Sequence, residues 1–155
     1  MMNIKLIRAT IEDSKELWQM QLESFQSLLD KYQDYDTNPA SEPIDKIIKR
    51  LKQEETYYYF ICTDDVKVGA IRVIDFKSDG NKRISPIFIL PQYQNKGIAQ
   101  IAMQLCEQLH GSENWELDTI LQEEGNCYLY EKMGYHRTGK TEVINDKLTL
   151  VFYEK

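Results

Sequence analysis

Apolar positions along the chain switch repeatedly between a two-residue and a helical period. Asn3 to Ala9 alternates at Ile4, Leu6 and Arg8 and predicts a first strand. Thr10-Ile11-Glu12-Asp13 has the form of a capping box, with Thr10 accepting from first-turn amides and Asp13 reaching back. Trp18, Leu22, Phe25 and Leu29 then recur at four- and three-residue steps, the stripe of a core-facing helix. The polar stretch Lys31 to Ala40, broken by Pro39, reads as a loop. A second helix begins near Ser41, tolerates Pro43 in its first turn, and buries Ile44, Ile47, Ile48 and Leu51. Tyr57 to Thr63 and Val66 to Ile74 are strands joined at Asp64-Asp65, and alternation prevents Tyr57, Tyr58 and Tyr59 from sharing one face. A turn over Ser78-Asp79-Gly80-Asn81 leads into a buried strand, Ile84 to Leu90.

Downstream, Ile98, Ile101, Ala102, Leu105 and Leu109 mark one face of a central helix that Gly111 stops. Trp115 to Leu121 is a strand, and Gly125 to Met133 a short helix capped by Gly134. Tyr135 to Val143 and Leu148 to Tyr153 close the chain as a hairpin around Asn145-Asp146. The order β-α-α-β-β-β-α-β-α-β-β predicts a single α/β domain over residues 1–155. Its sheet is mixed and mostly antiparallel, with helices on both faces.

The segment Gln94-Asn95-Lys96-Gly97-Ile98-Ala99 joins the buried strand to the central helix. The first amides of a helix have no intrahelical acceptor, and the macrodipole places partial positive charge there, so a glycine turn at this point forms an anion site. Gly97 and Ala99 keep the turn free of bulk, and Lys96 adds a mobile cation. Taken alone, the same pattern fits an ordinary strand–loop–helix connection equally well. Neither G-x-x-x-x-G-K-[ST] nor G-x-G-x-x-G occurs.

Composition narrows the function classes. A net charge of −6 and a pI near 5.0 argue against nucleic-acid binding, which needs a basic face. No segment has the length of a membrane span, and Met1-Met2-Asn3-Ile4-Lys5 lacks the apolar core of a signal peptide. Cys62, Cys106 and Cys127, odd in number and widely spaced, suit a reducing cytoplasm rather than a disulfide framework, and His110 and His136 alone make a metal centre improbable. The final strand, Leu148 to Phe152, is apolar enough to pair with a second subunit as a homodimer; an internal place in the sheet explains it equally well.

With its element order, the chain resembles the GCN5-related N-acetyltransferase (GNAT) superfamily. Gln94, Gly97 and Ala99 match the family's [Q/R]-x-x-G-x-[G/A] after the fourth strand. Asn126 and Tyr130, in the run ending Met133-Gly134-Tyr135, match its Asn and Tyr after the fifth. The resemblance implies that these two strands splay and that acetyl-coenzyme A enters between them, with no metal. The backbone of Ile87, Phe88 and Ile89 would then hydrogen-bond the pantetheine arm, and Pro86, with no N–H, suits the interruption. The amides of Gln94, Asn95, Lys96, Gly97, Ile98 and Ala99 would hold the pyrophosphate. Gln94 stands where Arg is commoner, which leaves Lys96 to carry more of the attraction.

By the same resemblance, Tyr130 is the general acid that protonates the departing thiolate, an N–H near Ile89 stabilises the oxyanion, and Asn126 orients the arm or the helix of Tyr130. Tyr128 has the wrong spacing for that acid, and Cys127 reads as helix packing. Glu116, Asp118, Glu123 and Glu124 are candidate bases, none preferred. Phe25, Tyr32, Tyr35, Arg72 and Ser85 are in reach of the acceptor. The implied activity is acetyl-CoA-dependent N-acetyl transfer, directly to a primary amine of a small molecule or peptide. Its alternatives are a catalytically inactive CoA-binding sensor or partner-binding module, and an enzyme for a longer acyl donor.

Overall fold

The computed structural model describes residues 3–78 and 80–155. Asp79, in the turn expected before the fourth strand, lies outside them, as do Met1 and Met2. Strand β1 (Ile4–Arg8) passes through a 3-10 turn at Ile11–Asp13, where the capping box is formed, into helix α1 (Ser14–Tyr32). Helix α2 (Ile44–Leu51), strands β2 (Thr56–Thr63), β3 (Val66–Ile74) and β4 (Lys82–Ile89), and helix α3 (Ile98–His110) follow. Strand β5 (Trp115–Ile120), helix α4 (Glu124–Lys132) and strands β6 (His136–Val143) and β7 (Thr149–Glu154) complete the chain. Asp64 and Asp65, with φ of 49° and 69°, make the tight β2–β3 turn.

The seven strands form one sheet in the order β1-β2-β3-β4-β5-β7-β6, antiparallel except between β4 and β5. Helices α1 and α2 pack on one face, over Tyr58, Phe60, Ala70 and Phe88; α3 and α4 pack on the other, over Tyr59, Ile61, Trp115 and Tyr153. The three consecutive tyrosines therefore divide between faces, as alternation requires. Strand β7 lies inside the sheet, between β5 and β6, and this position accounts for its apolar character. Among the described residues no helix is long and apolar enough to cross a membrane.

Three helical expectations need correction. Helix α1 runs to Tyr32, into the segment read as loop, and Pro39–Ser41 adds a 3-10 turn there. Its buried face is Leu17, Met20, Gln21, Ser24 and Leu29, one residue out of phase with Trp18, Leu22 and Phe25, which are half-buried. The phase was obscured because Gln21 is polar yet fully buried: its amide donates to the Pro39 carbonyl (2.9 Å) and the Glu42 carboxylate (2.8 Å) and accepts from the Tyr58 hydroxyl. In α3 the buried face is Ile98, Ala102, Met103 and Cys106, and Leu109 is 58% exposed.

At the end of α3 the His110 side chain is 2% exposed. Its Nδ1 lies 2.8 Å from Asp75 and its Nε2 2.8 Å from the Tyr59 hydroxyl. A neutral ring satisfies both, donating to the carboxylate and accepting from the phenol. Burial holds His110 below the usual imidazole range, against the pull of Asp75. The unfolded chain takes up this proton near pH ~6.5 and the folded chain only at lower pH, so the contribution is full above that value and declines below it. The urea midpoint of the wild type is expected to fall between about pH 7.5 and 5.5, and a His110→Gln variant to lose most of that slope. Equal slopes in the two proteins would refute this role.

Candidate active site

Strands β4 and β5 pair only at Lys82–Trp115 and Arg83–Glu116, then part. On its other edge β4 stays paired with β3 through Ile71–Ile87, Ala70–Phe88 and Gly69–Ile89, with the register shifted between Ile71 and Val73, opposite Ser85 and Pro86. Arg72 sits in that shift and donates its Nε–H to the Ser85 carbonyl. Pro86 thus occupies the irregularity its missing N–H suits.

The direction of the β4 peptide groups follows from the Leu90 N–H, which donates to Val68 in β3 at 2.8 Å. Alternation turns the groups of Phe88 the same way and those of Ile87 and Ile89 toward the breach. Phe88 instead contributes its ring to the α1 face, where it meets Phe25 edge-on at 5.8 Å. Gly69, which the sequence reading passed over, lets β3 approach: a Cβ there would collide with the Phe88 carbonyl oxygen.

The breach opens into a cleft of about 200 Å³ lined by α1, the 34–39 segment, β4, β5 and α4. Tyr130 and Asn126 of α4 line it, as do Phe25 of α1 and Ser85 of β4. Tyr130 is 7% exposed, packs against Tyr135 and Tyr153, and among the described residues has no hydrogen-bond partner for its hydroxyl. Burial, with a smaller contribution from Cys127, pushes its pKa up to about 12. Cys127 is buried with Sγ 3.8 Å from the Ile120 carbonyl, and Tyr128 is 70% exposed.

Beyond β4, a 3-10 turn at Pro91–Tyr93 leads to the loop. Asn95 (φ 63°) and Gly97 (φ 78°) are left-handed, and a Cβ at Gly97 would meet nothing within 4 Å. Gly97 is therefore required by backbone conformation and leaves the turn open from outside. The amides from Asn95 to Gln100 have no acceptor among the described residues; the first amide to find one is Ile101, on Gly97 at 3.3 Å. Gln94 turns back and donates its side-chain amide to the Ile89 carbonyl at 2.9 Å. Lys96 is exposed, with its Nζ 5.9 Å from the Tyr93 ring centre.

The acceptor-side candidates scatter. Tyr35 is 65% exposed, and Arg72 is buried in β3 with its guanidinium on the Ser85 carbonyl. Asp118 lines the cleft but is paired with Arg83, and Glu116 accepts from Asn81 at 3.4 Å. Tyr32 is turned to Glu123, its hydroxyl 2.5 Å from the carboxylate that Lys31 also meets at 2.8 Å. Burial opposes ionisation of Glu123, but the bonds from Lys31 and Tyr32 outweigh it and hold the carboxyl below its usual range. This clasp joins the last turn of α1 to the start of α4, and Asn145 adds a bond to the Tyr32 carbonyl at 3.0 Å. Its partners stand 91 residues apart in the chain, so no local pattern announces it.

The chain belongs to the acetyltransferase (GNAT) family, whose model matches residues 15–135. No curated protein matches the sequence. Among solved structures, the spermidine N-acetyltransferase of Vibrio cholerae, in complex with CoA and spermine, is 14% identical; the match covers 97% of this chain and 93% of that one with a TM-score of 0.76. PaiA N-acetyltransferase from Thermoplasma acidophilum, in complex with coenzyme A, is 15% identical over 99% of this chain and 100% of its own, with a TM-score of 0.73. The microcin C7 self-immunity acetyltransferase MccE, solved with acetyl-CoA and AMP, is 16% identical over 98% and 91%, with a TM-score of 0.73. At these identities the likeness is one of fold.

Loss of the clasp should be felt locally. Glu123→Ala is expected to speed amide hydrogen exchange in the last turn of α1 by about tenfold, the scale of one charge-assisted hydrogen bond, while the exchange of β2 and β3 stays as in the wild type. Unchanged exchange in that turn would show that the clasp holds nothing.

Proposed function

We propose that this protein binds acetyl-CoA across the breach and transfers the acetyl group directly to a primary amine of a small molecule or peptide. The observation that carries the reading is the run of amides from Asn95 to Gln100 that lack acceptors among the described residues, opening beside a strand whose Ile87 peptide group and Ile89 N–H face the gap. A diphosphate suits the first set, because fixed N–H dipoles and a helix N-terminus together favour an anion. An amide-rich arm suits the second, because it restores the hydrogen bonds that β5 does not supply. When bound, acetyl-CoA supplies the activated acyl group.

The protein's own groups then have distinct tasks. The Ile89 N–H, pointing into the gap, is placed to stabilise negative charge on the acyl oxygen. Tyr130 stays protonated at neutral pH and is the candidate donor to the leaving sulfur. Its raised pKa makes it a weak acid, but burial works on both partners: the apolar walls that hold the phenol neutral also raise the proton affinity of a thiolate formed beside it. Asn126, lining the cleft four residues earlier, positions the arm or the helix.

In calorimetry, acetyl-CoA is expected to bind the wild type and not a Gly97→Glu variant, which combines an unfavourable φ with a carboxylate at the anion site; circular dichroism would establish that the variant is folded. Tyr130→Phe is expected to keep acetyl-CoA binding and to lower kcat by about 10²-fold or more in a thiol-release assay. Absence of wild-type binding would overturn the functional reading. Binding with full turnover in Tyr130→Phe would remove the tyrosine from the mechanism.

A further inference from the structure

The walls of the cleft are largely apolar, and its two carboxylates are already engaged, one by hydrogen bonds and one by an arginine. Phe25 and Leu28 of α1, Pro39, Ile120, Leu148 and Leu150 all line it. Two carboxylates reach this space. Asp34 is 4% exposed, and its own turn occupies it: one oxygen accepts from the amides of Asp36 (3.2 Å) and Thr37 (2.9 Å), the other from the Thr37 hydroxyl. Asp118 is held by Arg83. The Asn38 side-chain oxygen caps the Ala40 amide at 2.7 Å. The neutral polar residues that line the cleft include Ser85, Asn126 and Tyr130.

These walls discriminate among amines. A chain carrying several ammonium groups would have to bring its charges into a largely apolar cleft whose carboxylates are already engaged by the Asp34 turn and by Arg83, and a desolvated charge without a close partner is strongly disfavoured. An amine on an aromatic or aliphatic body would gain by burying that body against Phe25, Leu28 and Leu150. The same environment favours the neutral form of the single amine, which is the form that attacks, and so lessens the need for a dedicated base.

We infer that the acceptor is a small monoamine with an apolar or aromatic body, and not a polyamine. This rests on the acetyl-transfer reading above. The test uses 2-phenylethylamine and spermidine as acceptors in a thiol-release assay, with calorimetric binding of acetyl-CoA measured on the same preparation. The expected result is a kcat/KM for 2-phenylethylamine at least about tenfold above that for spermidine. An Arg83→Gln variant, which frees the Asp118 carboxylate, should narrow that ratio in favour of spermidine.

Spermidine turned over as well as or better than 2-phenylethylamine would overturn the inference and leave acetyl transfer standing. So would turnover of neither amine by protein that binds acetyl-CoA. A ratio unchanged by Arg83→Gln would show that charge pairing does not set the preference. Failure to bind acetyl-CoA at all would remove the functional reading, and this inference with it.

Discussion

Beyond Lys82–Trp115 and Arg83–Glu116 the parallel strands β4 and β5 separate, and peptide groups that a continuous sheet would pair face a cleft. Most of the structure answers to that separation. The two halves of the sheet, β1 to β4 and β5 to β6, are rejoined on one face by a core that spans the breach. There Ile84, Ile98 and Met103 pack in the same cluster as Trp115, Leu117, Tyr130 and Tyr153. Trp115 anchors it, fully buried, with its indole N–H on the Gly111 carbonyl at 2.8 Å. Closing one face while the other stays open leaves a pocket with a solid floor, and the floor is where Tyr130 sits.

The face covered by α1 and α2 adds buried polar groups to its apolar core. Glu42 receives both guanidinium nitrogens of Arg50, at 2.8 and 2.7 Å, and also the Gln21 amide. Burial opposes its ionisation, but Arg50 and Gln21 outweigh this and lower its pKa. Arg72, pushed down to about 10 by burial with Arg50 nearby, still carries charge at neutral pH and holds the Ser85 carbonyl. Ion pairs of this kind add little net stability over apolar packing, but a missing partner is costly, so they specify one arrangement. Here the arrangement fixes α1 against α2 and sets the β4 backbone at the rim of the cleft.

What was legible in the sequence, and what was not, follows from the range of the interactions. The strand–loop–helix at Gln94 to Ala99, the Asn126–Tyr130 pair and the Gly134 cap are local patterns, and each lies in the element assigned to it. The strands were legible for the same reason, since alternation at Tyr57, Tyr58 and Tyr59 is set by the backbone. The phase of α1 was not, because its centre is Gln21, a polar residue whose burial depends on Pro39, Glu42 and Tyr58. Gly69 and Glu123 escaped because their partners, Phe88 and Tyr32, are distant in the chain. The clasp also reassigns Glu123, a candidate base by position, to holding α1 and α4 together.

Gln94 shows how one uncharged residue changes the character of the proposed anion site. An arginine there would bring a charge to the loop; the glutamine amide instead bonds the Ile89 carbonyl, tying the loop to the end of β4. In the proposed site the remaining attraction would come from oriented main-chain amides and from Lys96, which is exposed and so screened by salt. Backbone dipoles attract an anion only while the turn keeps its shape. That shape depends on left-handed Asn95 and Gly97 and on a loop held against β4 by Gln94. The glutamine therefore contributes order where an arginine would contribute charge, and it couples the loop to the strand whose Ile89 N–H faces the breach.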